Sequence, residues 1–238
     1  METVMSVWFK SIILFALVTS AWANQRQAIN AKRYEALSGI RENEAGTANN
    51  KDGKVFWDSK YSDSKYVFGK KPAKFLSQNY EYIPNESKVL DMGMGEGRNA
   101  VFLARKGYKV TGIDISSVAV KKAKMLADEY GVRINTVVAS MNKYKIPDGS
   151  FDAIICFYYV DRQLHEKMLS WLRPGGILIY ESHTDLQKTV KGNERYDQEY
   201  LLRPSELLTM FKGMKILKYE EPLHTGEFTA SIILKKPE

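Results

Sequence analysis

From Val55 onward the chain alternates between apolar runs of strand length and stretches with one apolar side at helical spacing. "SKVLDMG" (87–93), "YKVTGID" (108–114), "INTVVAS" (134–140), "FDAIICFYY" (151–159) and "ILIYES" (177–182) read as strands. Between the first two, "RNAVFLARKG" sets Ala100, Val101, Leu103 and Ala104 on one side of a helix that stops at Gly107. "SSVAVKKAKMLADEYG" is a second helix, with a serine at its N-cap and Gly131 just past its end. A further helix is expected near 161–172, with turns at "PDGS" (147–150) and "RPGG". Strands separated in this way cross over right-handedly into a parallel sheet covered on both faces. The tail departs from that rhythm. "MKILKYEE" (214–221) and "EFTASIILKKP" (227–237) lie a few residues apart and read as a closing hairpin, which puts an antiparallel strand at one edge. The expected fold is α/β, a doubly wound and mostly parallel seven-stranded sheet with ligand at the carboxyl ends of its strands.

Ahead of this domain, "SIILFALVTSAWA" (11–23) is an apolar run behind Lys10, and Ala21-Trp22-Ala23 has the small-x-small form of a signal-peptidase site. The run holds 13 residues, short of the ~20 that a spanning helix needs. Residues 1–23 are therefore expected to be a cleaved signal peptide, which exports the domain. The alternative is an uncleaved membrane anchor. Arg26, Lys32 and Arg33 would then keep the domain on the cytoplasmic side. Residues 24–54 are polar, end in "GTANNKDGK" and read as an N-terminal extension and linker; the folded domain is expected over 55–238.

Composition narrows the function little. The net charge of +7 is spread over scattered lysines and arginines, including the pairs Lys70-Lys71 and Lys121-Lys122, and reads as a solvated basic surface rather than a nucleic-acid footprint. One cysteine, Cys156, cannot make an internal disulfide, and no CxxC or HExxH spacing suggests a metal.

The chemistry concentrates in "LDMGMGEGRNA" (90–100), where the first strand hands over to a helix. Gly93, Gly95 and Gly97 read G-x-G-x-G, which fits neither the dinucleotide fingerprint nor the lysine-bearing phosphate loop. Bare backbone lets a ligand approach closely, and Asp91 in front of it repels phosphate and suits a cation. Asp114 closes the next strand, where a carboxylate can accept both hydroxyls of a ribose. A ligand with a ribose and a cationic amine but no essential pyrophosphate is implied. S-adenosylmethionine has those features, and its carboxylate can meet the amides that open the following helix.

With these residues in hand, "LDMGMGEGRNAVFLARKGYKVTGIDISSVAV" resembles the class I S-adenosylmethionine-dependent methyltransferases, particularly their tellurite-resistance-like, small-molecule branch, on a Rossmann-like sheet. "FWDSKYSDSKYVFGKKPAKFL" (56–76) is similar to that family's aromatic entry segment, "RPGGILIYESHT" to its fifth strand and "YLLRPSELLTMF" (200–211) to the segment before the closing hairpin. The resemblance implies S-adenosylmethionine as cofactor, Asp91, Gly93, Gly95 and Gly97 around its methionine part and Asp114 at its ribose. Met94, Ile115, Met141 and Cys156 complete the expected cofactor set, although Cys156 also reads as a small buried hydrophobe. Ser140 stands where the family usually has an acid for the adenine amine, so recognition there leans on an uncharged hydroxyl, on Met141 and on backbone groups.

Methyl transfer from a sulfonium is an in-line displacement, so the protein chiefly aligns the acceptor and excludes water. Tyr158, His183 and Arg203 are the candidates for the acceptor pocket. One of Tyr158 and Tyr159 is expected in the core, because neighbours on a strand face opposite ways. Arg203 also reads as a partner of Glu206. Trp57, Tyr61, Tyr66 and Phe68 are either core or a lid on the cofactor. "CFYYVD" (156–161) replaces the Asn/Asp-Pro-Pro-Tyr of amino-methylating enzymes, which favours a small-molecule acceptor over nucleic acid. Two rivals remain: an exported, non-catalytic relative binding a nucleoside-like ligand, and an NAD-dependent oxidoreductase, which the glycine spacing disfavours.

Overall fold

The computed structural model describes residues 50–194, 196–223 and 227–238. The segment 1–23, read as signal peptide or anchor, and most of the polar stretch 24–54 lie outside the described residues. The first described element, helix α1 (Asn50–Lys60), begins inside the stretch read as linker and carries Phe56 and Trp57 towards the domain. The polar "NNKDGK" start hid this helix, whose apolar residues come only in its second half.

Seven strands form one sheet in the order β3-β2-β1-β4-β5-β7-β6. In chain order they are β1 (Lys88–Met92), β2 (Lys109–Asp114), β3 (Asn135–Val138), β4 (Phe151–Phe157), β5 (Leu172–His183), β6 (Lys215–Glu220) and β7 (Thr229–Lys235). The first five are parallel; β7 pairs antiparallel with both β5 and β6 and closes the sheet as the sequence hairpin implied. Helices α2 (Lys74–Asn79), α3 (Arg98–Arg105), α4 (Ser117–Glu129), α5 (His165–Trp171) and α6 (Glu206–Met210) cover it. The strand order reverses between β1 and β4, the place where doubly wound sheets open a crevice.

Period-two alternation along the strands builds a core on each face. Leu90, Met92, Ile154, Cys156, Leu178 and Tyr180 pack with Met168 and Trp171 of α5 and Leu207 of α6. Val89, Ala153, Ile155, Ile177 and Ile179 face the other way, onto Phe75 and Leu76 of α2 and Ala100 and Leu103 of α3. Each fully buried Leu or Ile contributes roughly 1.5–3 kcal/mol. At the start of α4, the Ser116 hydroxyl accepts the Ala119 N–H at 3.1 Å, as its sequence position predicts.

Two local readings are corrected. "RPGG" is not a turn ahead of the fifth strand but a bulge within it. Leu172 pairs with Phe151 and Ile177 with Ala153, so four residues of β5 stand opposite one of β4. The fourth strand stops at Phe157, and Tyr158 turns out of it with φ of 59°. Tyr158 and Tyr159 are therefore separated by a backbone turn and not by strand alternation.

Candidate active site

Asp91, one residue from the end of β1, is 2% exposed, and its Oδ2 has no hydrogen-bond partner. Burial pushes its carboxyl up to about 8, the nearby Asp114 adds to the rise, and Arg98 and the Ala100 N–H oppose it. Asp114 ends β2. Its Oδ2 accepts the Gly95 N–H at 2.8 Å and its Oδ1 the Ser116 N–H at 2.8 Å. Burial raises this carboxyl too, against those two amides. Two acids thus face one loop, one with both oxygens engaged and one with an oxygen left open.

The structure also explains why the loop is bare. A Cβ on Gly93 would lie 3.2 Å from the Tyr159 ring, one on Gly95 2.9 Å from the Tyr61 hydroxyl, and one on Gly97 2.7 Å from Ala123 Cβ. Protein atoms, not ligand alone, crowd the three positions. Gly97 is a packing residue: with φ of 84° it opens α3 while letting α4 come close. The sequence reading gave all three glycines to the ligand, because spacing alone does not tell what stands opposite.

The entry segment crosses this loop. Trp57 stacks on Tyr61 with ring centres 5.5 Å apart, and Tyr61 meets Phe68 edge-on at 6.3 Å. Asp58 accepts the Ser116 hydroxyl at 2.6 Å and the Val118 N–H at 3.3 Å, which fixes α1 to the start of α4. Burial works against the Asp58 charge, but Lys54, Ser116 and Val118 outweigh it and hold the carboxyl down at about 2. Tyr61 is 5% exposed, and its hydroxyl lies among Asp114, Glu96 and Arg98. Of the aromatic cluster read as core or lid, Tyr61 is buried, Trp57 and Tyr66 are half-buried and Phe68 is exposed.

A second group lies past the ends of β4 and β5. The Tyr158 hydroxyl donates to Glu181 Oε1 at 3.0 Å, and the Ser231 hydroxyl donates to Glu181 Oε2 at 2.7 Å. Burial raises the Glu181 carboxyl, and these two hydroxyls oppose the rise. The Arg98 guanidinium sits 5.4 Å from the Tyr158 ring centre, and the His183 ring packs at 4.9 Å. Tyr196 approaches His183 at 6.0 Å. Burial depresses the His183 imidazole to about 4, against the Phe228 carbonyl, so it is neutral at ordinary pH. Its Nδ1 is buried without a hydrogen bond, as are Asp185 Oδ1 and both amide atoms of Asn193. A left-handed residue beside a buried acid and open polar atoms is the kind of local strain found at functional sites.

The remaining expectations divide. Asp91, Gly93, Gly95 and Asp114 converge, and Tyr158 and His183 meet each other. Ser140 and Ile115 are half-buried at the same end of the sheet, whereas Met141 is in the core. Met94 packs behind the loop on Val120 and Ala123. Cys156 is fully buried, with its thiol donating to the Tyr159 carbonyl at 3.3 Å, and burial pushes that thiol up. Arg203 is exposed, and it does not take the side-chain partner expected. Arg162 holds the Glu206 carboxylate with contacts of 2.5 and 2.9 Å, while Arg203 gives only its backbone N–H. Glu96, Lys122, Glu181 and Arg98 were missed, since a charged residue at an unremarkable spacing reads as solvated surface.

Residues 89–176 match the family described as "Methyltransferase domain". The tRNA 5-carboxymethoxyuridine methyltransferase of Escherichia coli K12 is 32% identical over 130 residues, 50% of this chain and 50% of that one. The ubiquinone biosynthesis O-methyltransferase of Cronobacter sakazakii is 28% identical over 140 residues, 51% of this chain and 58% of that one. The chain spans about half the length of these curated relatives. In fold it is similar to an S-adenosylmethionine-dependent methyltransferase from Methanosarcina mazei, with a TM-score of 0.55 at 19% identity, covering 70% of this chain and 99% of that one. The central segment, from Val89 to Gly176, thus matches a methyltransferase domain and lies within a sheet folded like that of a methyltransferase of known structure.

Proposed function

We propose that the chain is an S-adenosylmethionine-dependent methyltransferase acting on a small polar molecule, with the donor over β1 and β2 and the acceptor over β4 and β5. One observation carries this: Asp91, buried and with Oδ2 unpartnered, faces a loop of open backbone beside a second buried acid. A buried carboxylate oxygen without a donor is costly, and a cationic α-amino group relieves that cost. The residues therefore fit the cofactor. When bound, S-adenosylmethionine supplies a methyl group on a sulfonium, open to in-line displacement.

Asp91 holds the amino group and Asp114 offers its remaining lone pairs to the ribose. Ser140 accepts from the adenine amine without a charge. The chain's further task is to align the acceptor and keep water out. Tyr158, fixed by Glu181, forms one wall, and neutral His183, with its Nδ1 unpartnered, offers the acceptor a hydrogen-bonding nitrogen. The open atoms of Asp185 and Asn193 support an acceptor that both donates and accepts hydrogen bonds. The ubiquinone relative supports a small molecule; the tRNA relative supplies the second reading.

Calorimetric titration of the purified domain with S-adenosylhomocysteine and with NAD tests the donor. Binding of NAD alone overturns the proposal, and binding of S-adenosylhomocysteine with no turnover on any acceptor favours the non-catalytic rival. Release of S-adenosylhomocysteine from the donor, with hydroxyl, thiol and amine acceptors in parallel with bulk tRNA, tests the acceptor class. Turnover on tRNA alone overturns the small-molecule reading. The signal-like segment 1–23 carries a separate proposal, export of the domain. A reporter behind Glu238 that works only inside the cytoplasm overturns it in favour of the anchor.

A further inference from the structure

The entry segment is held to the glycine loop by one buried ion pair that no part of the methyl-transfer reading uses. Glu96, the residue between Gly95 and Gly97, is 4% exposed, and Lys122 of α4 is 9% exposed. Lys122 Nζ lies 2.5 Å from Glu96 Oε1, an oxygen that lacks a well-angled hydrogen bond and is neutralised by this contact. The same ammonium donates to the carbonyls of Tyr61 at 3.3 Å, Asp63 at 2.8 Å and Lys65 at 2.7 Å. Glu96 Oε2 accepts the Val67 N–H at 2.7 Å, and the Tyr66 hydroxyl donates to the Lys122 carbonyl at 3.1 Å. The ammonium also faces the Tyr66 ring at 5.1 Å.

This arrangement is more than a bridge between two side chains. Alternate carbonyls of residues 61–65 turn inward onto one cation, and the next inward group, the Val67 amide, lands on that cation's counter-ion. The segment is thereby wrapped over α4 and pinned to the loop that holds Gly95 and follows Asp91 at the end of β1. Its first residue, Tyr61, brings a hydroxyl to within 2.9 Å of where a Gly95 Cβ would lie. Burying an ion pair is poor value for stability alone, because desolvation offsets much of the attraction. It is better suited to fixing one arrangement among several.

We infer that Glu96 and Lys122 are positioning residues that latch the entry segment 61–67 over the donor seat and so control how fast the nucleoside cofactor exchanges. The inference rests on the donor reading above. The latch opens only when Lys122 releases its carbonyls and Glu96 releases Val67 together, since each holds the other in place. Bound cofactor is then enclosed on the side where Tyr61 stands, and exchange is gated by this movement.

The test uses the full chain and S-adenosylhomocysteine as the probe. Stopped-flow displacement, followed through Trp57 fluorescence, gives the dissociation rate, and amide hydrogen exchange reports on 61–67. Lys122→Met, which keeps the buried stem and removes the charge, is expected to raise the dissociation rate at least tenfold. It should also speed exchange in 61–67 while β1, β4 and β5 keep their protection. Glu96→Gln, which retains an acceptor for Val67, should act in the same direction and less strongly. Lys122→Arg should restore slow dissociation in part. Lys70→Met, which removes the exposed pair with Glu129 on the same segment, should stay within twofold of the wild type. An unchanged dissociation rate in Lys122→Met, with 61–67 exchanging faster, overturns the latch and leaves the donor reading standing. A wild-type chain that does not bind S-adenosylhomocysteine overturns both.

Discussion

The carboxyl end of the sheet has two halves that are finished to different degrees. Over β1 and β2, Asp114 has an amide on each oxygen, Glu96 and Lys122 neutralise each other, and Asp58 is fully engaged. Two buried oxygens of that half lack a hydrogen bond among the described residues, Asp91 Oδ2 and Glu96 Oε1, and of these Glu96 Oε1 has the Lys122 ammonium against it. Past β5, by contrast, His183 Nδ1, Asp185 Oδ1 and both amide atoms of Asn193 are all buried without partners. Native interiors leave few such groups, so their clustering is informative. On the proposed function, the first half is built in advance around one cationic contact with the donor. The second keeps several contacts open, which is where a particular acceptor would be told from others.

Gly97→Ala strikes the finished half hardest. Its Cβ would meet Ala123 at 2.7 Å in a backbone conformation of φ 84°, and the expected loss is about 3 kcal/mol of stability, read by urea unfolding. Adding Ala123→Gly should return part of that loss, because it removes the clash and not the strain. A small loss in the single variant would mean that the two helices are less closely locked than the contact implies.

Asp91→Asn should weaken S-adenosylhomocysteine binding by about 2 kcal/mol, roughly thirtyfold, the scale of a charged hydrogen bond. The pH dependence separates this role from simple packing. The folded carboxyl stands at about 8 against an ordinary 3.8, so its contribution to stability is intact below the lower value and is lost as pH rises through the higher. Ligand-free protein should therefore be less stable at pH ~9 than at pH ~6, with a shallower slope in Asp91→Asn. Cofactor affinity should run the opposite way, rising towards pH ~8 as the carboxylate forms, and this rise should vanish in the variant.

The open half should answer differently. Asn193→Leu replaces an unpartnered buried amide with an apolar side chain of similar size, and should leave stability unchanged or raise it by about 1 kcal/mol. The same change should lower kcat/KM for the acceptor while S-adenosylhomocysteine affinity holds. A clear loss of stability would show that the amide already has partners and would remove the contrast between the halves. Arg203→Met is the smallest effect, within about 0.5 kcal/mol in stability, whereas Arg162→Met should cost more, since Arg162 and not Arg203 carries the Glu206 carboxylate.

The same contrast decided what was legible in the sequence. Strands, crossover helices and the closing hairpin follow from local periodicity, and Asp91, Asp114 and the three glycines from spacings within a strand–loop–helix unit. Lys122 was not legible. Within "VAVKKAKM" it reads as half of a solvated pair with Lys121, and nothing nearby announces the three carbonyls that bury it from 57 to 61 positions earlier. Glu181 was hidden similarly, as a polar letter in "ILIYES", because its Ser231 partner lies 50 positions further on. Tyr158 was placed on the wrong argument: a left-handed residue at a strand's end leaves no mark in the pattern of apolar letters.

The place of β7 has a consequence for how the molecule is made. Its Ile232, Ile233 and Leu234 are buried, and it is inserted between β5 and β6, both of which precede it in the chain. During synthesis β5 and β6 must wait as unpaired edges until residues 229–235 have left the ribosome. A nascent or proteolysed chain lacking that stretch would therefore present two sticky borders, and its expected fate is association with other chains and capture by chaperones.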